Sequence, residues 1–338
     1  MSGSRNAGLA AGAIAGLTTG ALGLGYVVAK AVARADRRRF HVAGDLTELA
    51  RAALADAPGM RSSTIPTVDG GRMFVREYGS PEAVPIVLLH GVTLDGSIWH
   101  NQCRDLADEY RVIAPDLRGH GRSTPGRNGY GLDLLAADLD GLLGNFKLKN
   151  TILVGHSMGG MAMMHFCAKF PATLANRVAG LVFQSTAASD VASGPATAPL
   201  KLGRMLAERS PATAGRLTKA PADVGYLGSR FGFGKNPSPV WVEQVRLLLD
   251  AMAPVPLAKS VLSLLDHDER ATLRTVATRS LVLVGTKDLV TPEVQSREIA
   301  ELLPNSELVT FADAGHTLML ERSSELSVAL RQFANARG

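Results

Sequence analysis

The chain contains the stretch Gly155-His156-Ser157-Met158-Gly159, which follows the apolar run 151–154 and precedes the small and apolar residues 160–170. The order of strand, tight turn and helix is what a nucleophile elbow requires. Its turn strains the backbone of the serine, and glycines must flank it because a Cβ would strike the neighbouring elements. The alternative is a structural turn with a spectator serine. The position of the motif favours Ser157 as a nucleophile.

Apolar runs that resemble buried strands recur on both sides of this motif. Continuous apolar runs are typical of parallel strands covered on both faces, and helical patterns lie between most of these. The alternation predicts an α/β fold with a doubly wound, mostly parallel sheet, whose functional groups lie at the carboxyl ends of the strands. The predicted strands are 63–68, 72–78, 85–89, 111–115, 151–154, 178–183, 280–284 and 307–311.

One interval interrupts this alternation. Residues 187–279 far exceed the roughly 10 to 30 residues of an ordinary crossover. They contain several prolines and helical patterns such as 240–252. We expect a helical cap that excludes water and shapes a substrate pocket. The predicted organisation is an N-terminal segment at 1–39, a connecting helix at 40–62, a core at 63–186 and 280–338, and the cap at 187–279.

The N-terminal segment contains an uncharged stretch at residues 7–29. At about 1.5 Å per residue, a helix of this length spans a bilayer core of roughly 30 Å. Small residues recur at every fourth position, which favours close approach of two such helices and predicts self-association. The alternative is a low-complexity leader. The recurring residues are Gly8, Gly12, Gly16 and Gly20.

Charge placement separates two interpretations of this stretch. The triplet Ala31-Val32-Ala33 has the small-x-small form of a signal-peptide cleavage site. However, Lys30, Arg34 and the run 37–39 follow the apolar stretch, whereas only Arg5 precedes it. Since positive flanks stay in the cytoplasm, we predict an uncleaved membrane anchor with a cytoplasmic main domain. Export after cleavage near Ala33 is the alternative.

Composition narrows the classes of partner. The 36 Lys and Arg residues exceed the 31 Asp and Glu residues, for a net charge of +5, but most are scattered. Scattered charge does not form a phosphate-tracking surface, so no nucleic-acid partner is expected. Cys103 and Cys167 lack the spacing of a metal site or a disulfide framework. With no glycine-rich phosphate loop either, the sequence predicts neither a cofactor nor a metal.

A serine hydroxyl needs a base, and the base needs an orienting acid. Asp288 follows the predicted strand 280–284, and His316 follows the predicted strand 307–311. Ser157, Asp288 and His316 therefore occur in the order serine, acid, histidine, each at the same edge of the predicted sheet. We predict that they form a catalytic triad.

At these residues the sequence resembles the α/β-hydrolase superfamily, in its serine esterase and lipase-like branch with an inserted lid. The resemblance covers residues 63–336 and includes His90-Gly91, the segment 115–123 and the elbow. It implies an oxyanion hole built from the backbone N–H groups of Val92 and Met158. In similar proteins the segment around Asp116 is a structural turn. In this chain, Trp99 and Met161 are candidate substrate-binding residues, although a methionine at helical spacing is more often a core residue.

These observations predict a serine hydrolase that cleaves carboxylic esters of small to medium apolar acyl groups through an acyl-enzyme. Its substrate would be a small molecule or a lipid ester. A perhydrolase or haloperoxidase-like enzyme, a thioesterase, an acyltransferase and a C–C hydrolase are alternatives with the same triad. An inactive binding module is the alternative from another class.

Overall fold

The computed structural model describes residues 30–36, 38, 44–190, 208–210, 212–213 and 222–336. The described residues form one eight-stranded sheet with the order β1-β2-β4-β3-β5-β6-β7-β8. β1 pairs with β2, and β2 with β4, in antiparallel fashion, and the other pairs are parallel, as predicted. The strands are β1 (Arg61–Pro66), β2 (Arg72–Tyr78), β3 (Pro85–Leu89), β4 (Arg111–Pro115), β5 (Thr151–His156), β6 (Val178–Gln184), β7 (Ser280–Gly285) and β8 (Ser306–Phe311).

Helices cover both faces of the sheet. Ile86 and Leu88 of β3 belong to one apolar cluster, and Val87 and Leu89 belong to the other, since alternate side chains of a strand point to opposite faces. Burial on both faces explains the continuous apolar strands. A 3₁₀ turn spans Gly96–Trp99, and the α-helices are α1 (Leu46–Leu54), α2 (His100–Leu106), α3 (Leu132–Asn145), α4 (Met158–Lys169), α5 (Pro171–Arg177), α6 (Ala222–Arg230), α7 (Pro239–Ala251), α8 (Pro254–Leu264), α9 (Arg270–Leu273), α10 (Glu293–Leu302), α11 (Leu318–Glu321) and α12 (Ser323–Asn335).

Parallel pairing brings the predicted catalytic segments to one edge of the sheet. The last residues of the strands are in register: His156 of β5 lies opposite Gln184 of β6, and Gly285 of β7 lies opposite Phe311 of β8. The segments that carry Ser157, Asp288 and His316 follow β5, β7 and β8. These three segments therefore begin at the same edge of the sheet.

Part of the predicted cap lies within the described residues. Residues 222–279 include α6 to α9, and α7 packs against α1, where Thr47 Oγ1 donates to Glu243 Oε1 at 2.8 Å. Residues 30–36 are also helical, and Asp36 accepts from the Tyr226 hydroxyl of α6 at 3.2 Å. The helical residues 30–36 thus contact α6, a helix of the predicted cap.

The predicted membrane helix at residues 7–29, with its glycines at every fourth position, lies outside the described residues. Within the described ranges, no single helix has both the length and the apolar character to cross a bilayer. Helices α7 and α8 reach that length and composition only as a pair, and they are bent by 106° at their junction.

The segment 116–123 is a buried structural turn, as the resemblance implies. The Arg118 guanidinium lies in the core and donates to both oxygens of Asp138 at 2.8 and 2.9 Å. It also donates to both oxygens of Asp69 at 3.0 and 3.1 Å. The Asp116 carboxylate accepts from the backbone N–H groups of Gly96 and Arg122, each at 2.8 Å. Asp116 therefore orders this turn, and Arg118 ties the turn to the β1–β2 hairpin and α3.

Replacement of Arg118 by methionine should lower the free energy of unfolding by about 3–5 kcal/mol, because two buried carboxylates lose their cation. Urea denaturation measures the change. Arg104→Met is the matched control: the Arg104 side chain is 67% exposed, so a loss below about 1 kcal/mol is expected. Equal losses in the two variants would contradict the structural role of Arg118.

Candidate active site

Ser157 occupies the turn between β5 and α4. Its backbone has φ 51° and ψ −118°, a conformation that residues with a side chain seldom adopt. Two hydrogen bonds hold the turn: the Ser157 N–H donates to the Gln184 carbonyl at 3.1 Å, and Thr186 Oγ1 donates to the Ser157 carbonyl at 2.8 Å. Both partners lie at the end of β6, so the neighbouring strand stabilises the strained serine.

The flanking glycines are required by space. A Cβ on Gly155 would lie 2.5 Å from the Met163 sulfur, and a Cβ on Gly159 would lie 2.5 Å from the Leu89 carbonyl oxygen of β3. The second contact is with backbone, which cannot move aside without disturbing the sheet. The elbow motif therefore reflects close packing of α4 on β3 and β5.

His316 and Asp288 form a buried hydrogen-bonded pair. His316 Nδ1 lies 2.9 Å from Asp288 Oδ2 and 3.1 Å from Oδ1. Asp288 Oδ1 also accepts from the backbone N–H groups of Val290 and Thr291, each at 2.9 Å, and Oδ2 accepts from Thr291 Oγ1 at 3.1 Å. The carboxylate is fixed at several points, so it can hold the imidazole in one orientation.

Electrostatics favour the ionised form of this acid. Burial raises the pKa of Asp288, but the adjacent His316 and the N–H donors of Thr291 and Val290 outweigh it, so the pKa is lowered from 3.8. A carboxylate can only accept, so His316 Nδ1 must carry a proton. His316 Nε2 is then left with the lone pair that a general base needs.

The His90 side chain orders the loop after β3, which carries the first predicted oxyanion donor. His90 Nε2 accepts from the Leu117 N–H at 2.9 Å, so Nδ1 carries the proton and donates to the Gly91 carbonyl at 2.8 Å. In a trans peptide the C=O and the next N–H point in opposite directions. Val92, the first predicted oxyanion donor, directly follows Gly91, so the bond from His90 fixes the peptide that carries the Val92 N–H. Met158, at the first turn of α4, is the second predicted donor.

A cavity of about 280 Å³ lies against Ser157, His156 and His316. Its volume suits a small to medium ligand rather than a large one. Much of its wall is apolar and comes from three parts of the chain: Val92 and Leu94 after β3, Phe231, Val245 and Leu249 of the cap region, and Val290 beside Asp288.

Trp99 and Met161, predicted as substrate-binding residues, occupy other positions. Both side chains are buried in apolar clusters, and neither is part of the cavity wall. The 3₁₀ turn at Gly96–Trp99 directs the indole into the core, and the Met161 side chain packs in the core beneath the elbow helix. In this structure the apolar residues of the cavity come from the cap region and from loops.

His156, in the elbow, is hydrogen-bonded to His316, the predicted catalytic histidine. Its Nε2 lies 3.0 Å from the His316 carbonyl oxygen, so Nε2 carries the proton and donates. Complete burial and the nearby His316 place the pKa of His156 well below 6.5, which keeps the ring neutral. The two rings lie 4.7 Å apart between centroids. The neutral His156 ring therefore adds no positive charge beside the predicted base His316.

Sequence reasoning missed two residues of the site. Thr291, three residues after Asp288, fits a local capping pattern in which an aspartate accepts from the second and third N–H groups beyond it. Glu321 carried no such signal, because it reads as an ordinary polar residue in a helix. Its buried carboxylate accepts from the backbone N–H groups on both sides of His316, at Gly315 and Thr317.

Within the described residues, no group of three His, Cys, Asp or Glu side chains is arranged to hold a metal ion. The site combines a serine at a strained strand-to-helix turn, a histidine paired with a buried aspartate, and an ordered loop after β3 that carries Val92. On a mostly parallel sheet, these features define the class of α/β hydrolases. The alpha/beta hydrolase fold family matches residues 84–323, and the chain belongs to this family.

Relatives of known name lie within the same family. The chain is 29% identical over 275 residues to the AB hydrolase superfamily protein YisY of Bacillus subtilis, covering 80% of this chain and 98% of that protein. It is 28% identical over 265 residues to the non-heme chloroperoxidase CPO-A1 of Kitasatospora aureofaciens, covering 75% and 92%. A thermophilic esterase from Thermogutta terrifontis superposes with a TM-score of 0.69 at 27% identity, covering 81% and 97%.

Buried histidines should make the protein acid-sensitive. Burial lowers the pKa of His90 and of His267 from 6.5 to about 4, and that of His120 to about 3. The unfolded chain therefore binds more protons than the folded chain below pH 6.5. Stability is fully present above that pH and falls as the pH drops toward these values, by up to about 1.4 kcal/mol per pH unit for each histidine.

Urea unfolding at pH 7.5, 6 and 5 measures this loss. The free energy of unfolding should be nearly constant above pH 7 and fall between pH 6 and pH 5. His120→Asn should make the fall less steep, because one protonation site is removed. A free energy that does not change between pH 7.5 and pH 5 would contradict the assignment.

Proposed function

We propose that the protein is a serine hydrolase that cleaves carboxylic esters of small to medium apolar acyl groups. The observation that carries the proposal is the His316–Asp288 pair, which lies with Ser157 against an apolar cavity of about 280 Å³. The chain is also similar to esterases, among them RhEst1 of Rhodococcus sp. ECU1013 at 26% identity and a TM-score of 0.68.

The geometry supports acyl transfer in two halves. Ser157 Oγ attacks the ester carbonyl carbon while His316 Nε2 takes the hydroxyl proton, and Asp288 stabilises the resulting imidazolium. The carbonyl oxygen becomes negative and accepts from the N–H groups of Val92 and Met158. When the C–O bond to the alcohol breaks, His316 returns the proton to the leaving alkoxide. Water then repeats the sequence on the acyl-enzyme, which releases the acid and restores Ser157.

A second candidate function is perhydrolysis, which the similarity to the non-heme chloroperoxidase favours. Hydrogen peroxide would replace water as the acceptor of the acyl group, and the product would be a peracid. A thioesterase, an acyltransferase and a C–C hydrolase use the same first half-reaction with other substrates or acceptors. An inactive binding module would leave Ser157 unreactive.

A fluorophosphonate probe should label Ser157 covalently and abolish p-nitrophenyl butyrate hydrolysis. Ser157→Ala should remove labelling completely, and His316→Ala should slow it by on the order of 10²-fold or more, because the base is lost. Mass spectrometry of the labelled peptide and ester kinetics measure both effects. A wild-type protein that is folded but not labelled at Ser157 would contradict the proposal and favour the binding module.

We also propose that residues 7–29 anchor the protein in a membrane and that the main domain faces the cytoplasm, with self-association through Gly8, Gly12, Gly16 and Gly20. Contacts of the following residues favour retention of this segment over cleavage near Ala33. Ala33 is buried in an apolar cluster that includes Tyr226. Asp36 pairs with Tyr226 and, at 3.4 Å, with Arg230.

The full-length protein should remain in the membrane pellet after alkaline carbonate extraction, and a variant that lacks residues 1–29 should enter the supernatant. A spanning helix resists extraction because its apolar surface cannot enter water. Intact mass measurement checks that the N-terminus is retained. Release of the full-length protein, or a mature chain that starts after Ala33, would contradict the anchor.

A further inference from the structure

The glycine- and phenylalanine-rich segment 231–235, which we name the cap strap, lies directly on the loop that carries the catalytic histidine. This loop, residues 312–317, follows β8 and has no regular secondary structure of its own. The His316 N–H donates to the Gly232 carbonyl at 2.7 Å, and the Lys235 N–H donates to the Asp313 carbonyl at 3.1 Å. Two backbone hydrogen bonds therefore join the cap strap to the histidine loop.

Close approach explains two glycines of this contact. A Cβ on Gly234 would lie 2.0 Å from the Asp313 carbonyl oxygen, and a Cβ on Gly315 would lie 2.5 Å from the Gly234 nitrogen. Both clashes are with backbone, so neither segment can yield by moving a side chain. The cap strap and the histidine loop fit together only because each has a glycine at the point of contact.

Glu321 gathers the N–H groups that surround this contact. Its Oε2 accepts from the Gly234 N–H of the cap strap at 2.8 Å. Its Oε1 accepts from the Gly315 N–H at 3.0 Å, from the Thr317 N–H at 3.3 Å and from Thr317 Oγ1 at 3.1 Å. One carboxylate, 8% exposed, therefore binds both neighbours of His316 and the cap strap.

The backbone of His316 is thus held by three residues from separate parts of the chain. Gly232 of the cap strap accepts its N–H, His156 of the elbow donates to its carbonyl, and Glu321 binds the N–H groups on either side. Thermal displacement of the imidazole by even 1 Å would weaken proton transfer from Ser157. The contacts that prevent such displacement pass through the cap.

We propose that Glu321 is a positioning residue that couples the seating of the cap strap to the placement of the catalytic imidazole. The inference rests on the proposed serine hydrolase function. The coupling acts on the chemical step, because the Glu321 carboxylate binds the backbone N–H groups of Gly315 and Thr317, on either side of His316, and has no part in the cavity wall. Loss of Glu321 should therefore lower kcat with little change in KM, whereas misplacement of the cap strap should lower kcat and also change KM, because Phe231 lines the cavity.

Glu321→Gln and Gly234→Ala test the two sides of the contact. The glutamine is isosteric, but its NH₂ group cannot accept, so at least one N–H of the set loses a partner. The added methyl of Gly234→Ala displaces the cap strap from the other side. Gly141→Ala in α3 is the matched control, because a Cβ there meets nothing within 4 Å.

Active-site titration with the fluorophosphonate first counts the competent serines in each variant. Per titrated site, kcat on p-nitrophenyl butyrate should fall about 10- to 100-fold in Glu321→Gln and in Gly234→Ala, and in Glu321→Gln KM should stay within about 2-fold of wild type. Gly141→Ala should match wild type. The double variant should lose less than the product of the single losses, because both act through one contact.

Hydrogen exchange tests the contact between the cap strap and the histidine loop independently of enzyme activity. In Glu321→Gln, amides of peptides that cover 231–235 and 312–317 should exchange faster than in wild type. Unchanged kcat per titrated site would overturn the positioning role, and so would a loss confined to the number of titratable sites, which marks a folding role only. If the wild-type protein shows no labelling, the proposed function fails. The exchange rates alone then decide whether Glu321 orders the histidine loop, and unchanged rates would overturn that role.

Discussion

The structure depends on one strained backbone position, the turn at Ser157. A serine at φ 51° persists only where its surroundings fix it, and here both flanking elements are largely buried. All six residues of β5 are buried, and α4 approaches β3 so closely that Gly159 has no room for a Cβ. Burial of the sheet on both faces therefore stabilises the strained backbone of Ser157. The rest of the site is arranged around this fixed serine.

The base is held by a different means. His316 lies on a loop that begins where β8 ends, so neither strand nor helix fixes its backbone. Instead of regular structure, hydrogen bonds hold this loop: Gly232 and Glu321 accept from its N–H groups, and His156 donates to the His316 carbonyl. The buried core thus fixes the position of Ser157. Contacts with the elbow, the predicted cap and the C-terminal helices fix the position of His316.

This division explains what the sequence could predict. Strands β3 and β4 were predicted with the bounds that the structure has, because a buried parallel strand is a continuous apolar run and turn residues bound it. Ser157 and His316 each follow a strand in a short local motif. Glu321 could not be found in this way, because its partner Gly234 lies 87 positions earlier in the chain and no periodicity relates the two. Trp99, predicted to bind substrate, lies in an apolar cluster instead of the cavity wall, because the 3₁₀ turn at Gly96–Trp99 buries its indole.

The chemistry of the contact between cap strap and histidine loop also explains why a carboxylate occupies position 321. Segments that approach this closely carry glycines, so they offer few side chains for apolar packing and expose backbone N–H groups instead. Buried N–H groups without acceptors would each cost free energy. An apolar residue at 321 could satisfy none of them, whereas a carboxylate has two oxygens with about four lone-pair sites and is in contact with Gly234, Gly315 and Thr317 at once. Glycine at the contact and an acid beside it are therefore one solution to a single problem: how to hold a catalytic histidine on a loop by its backbone.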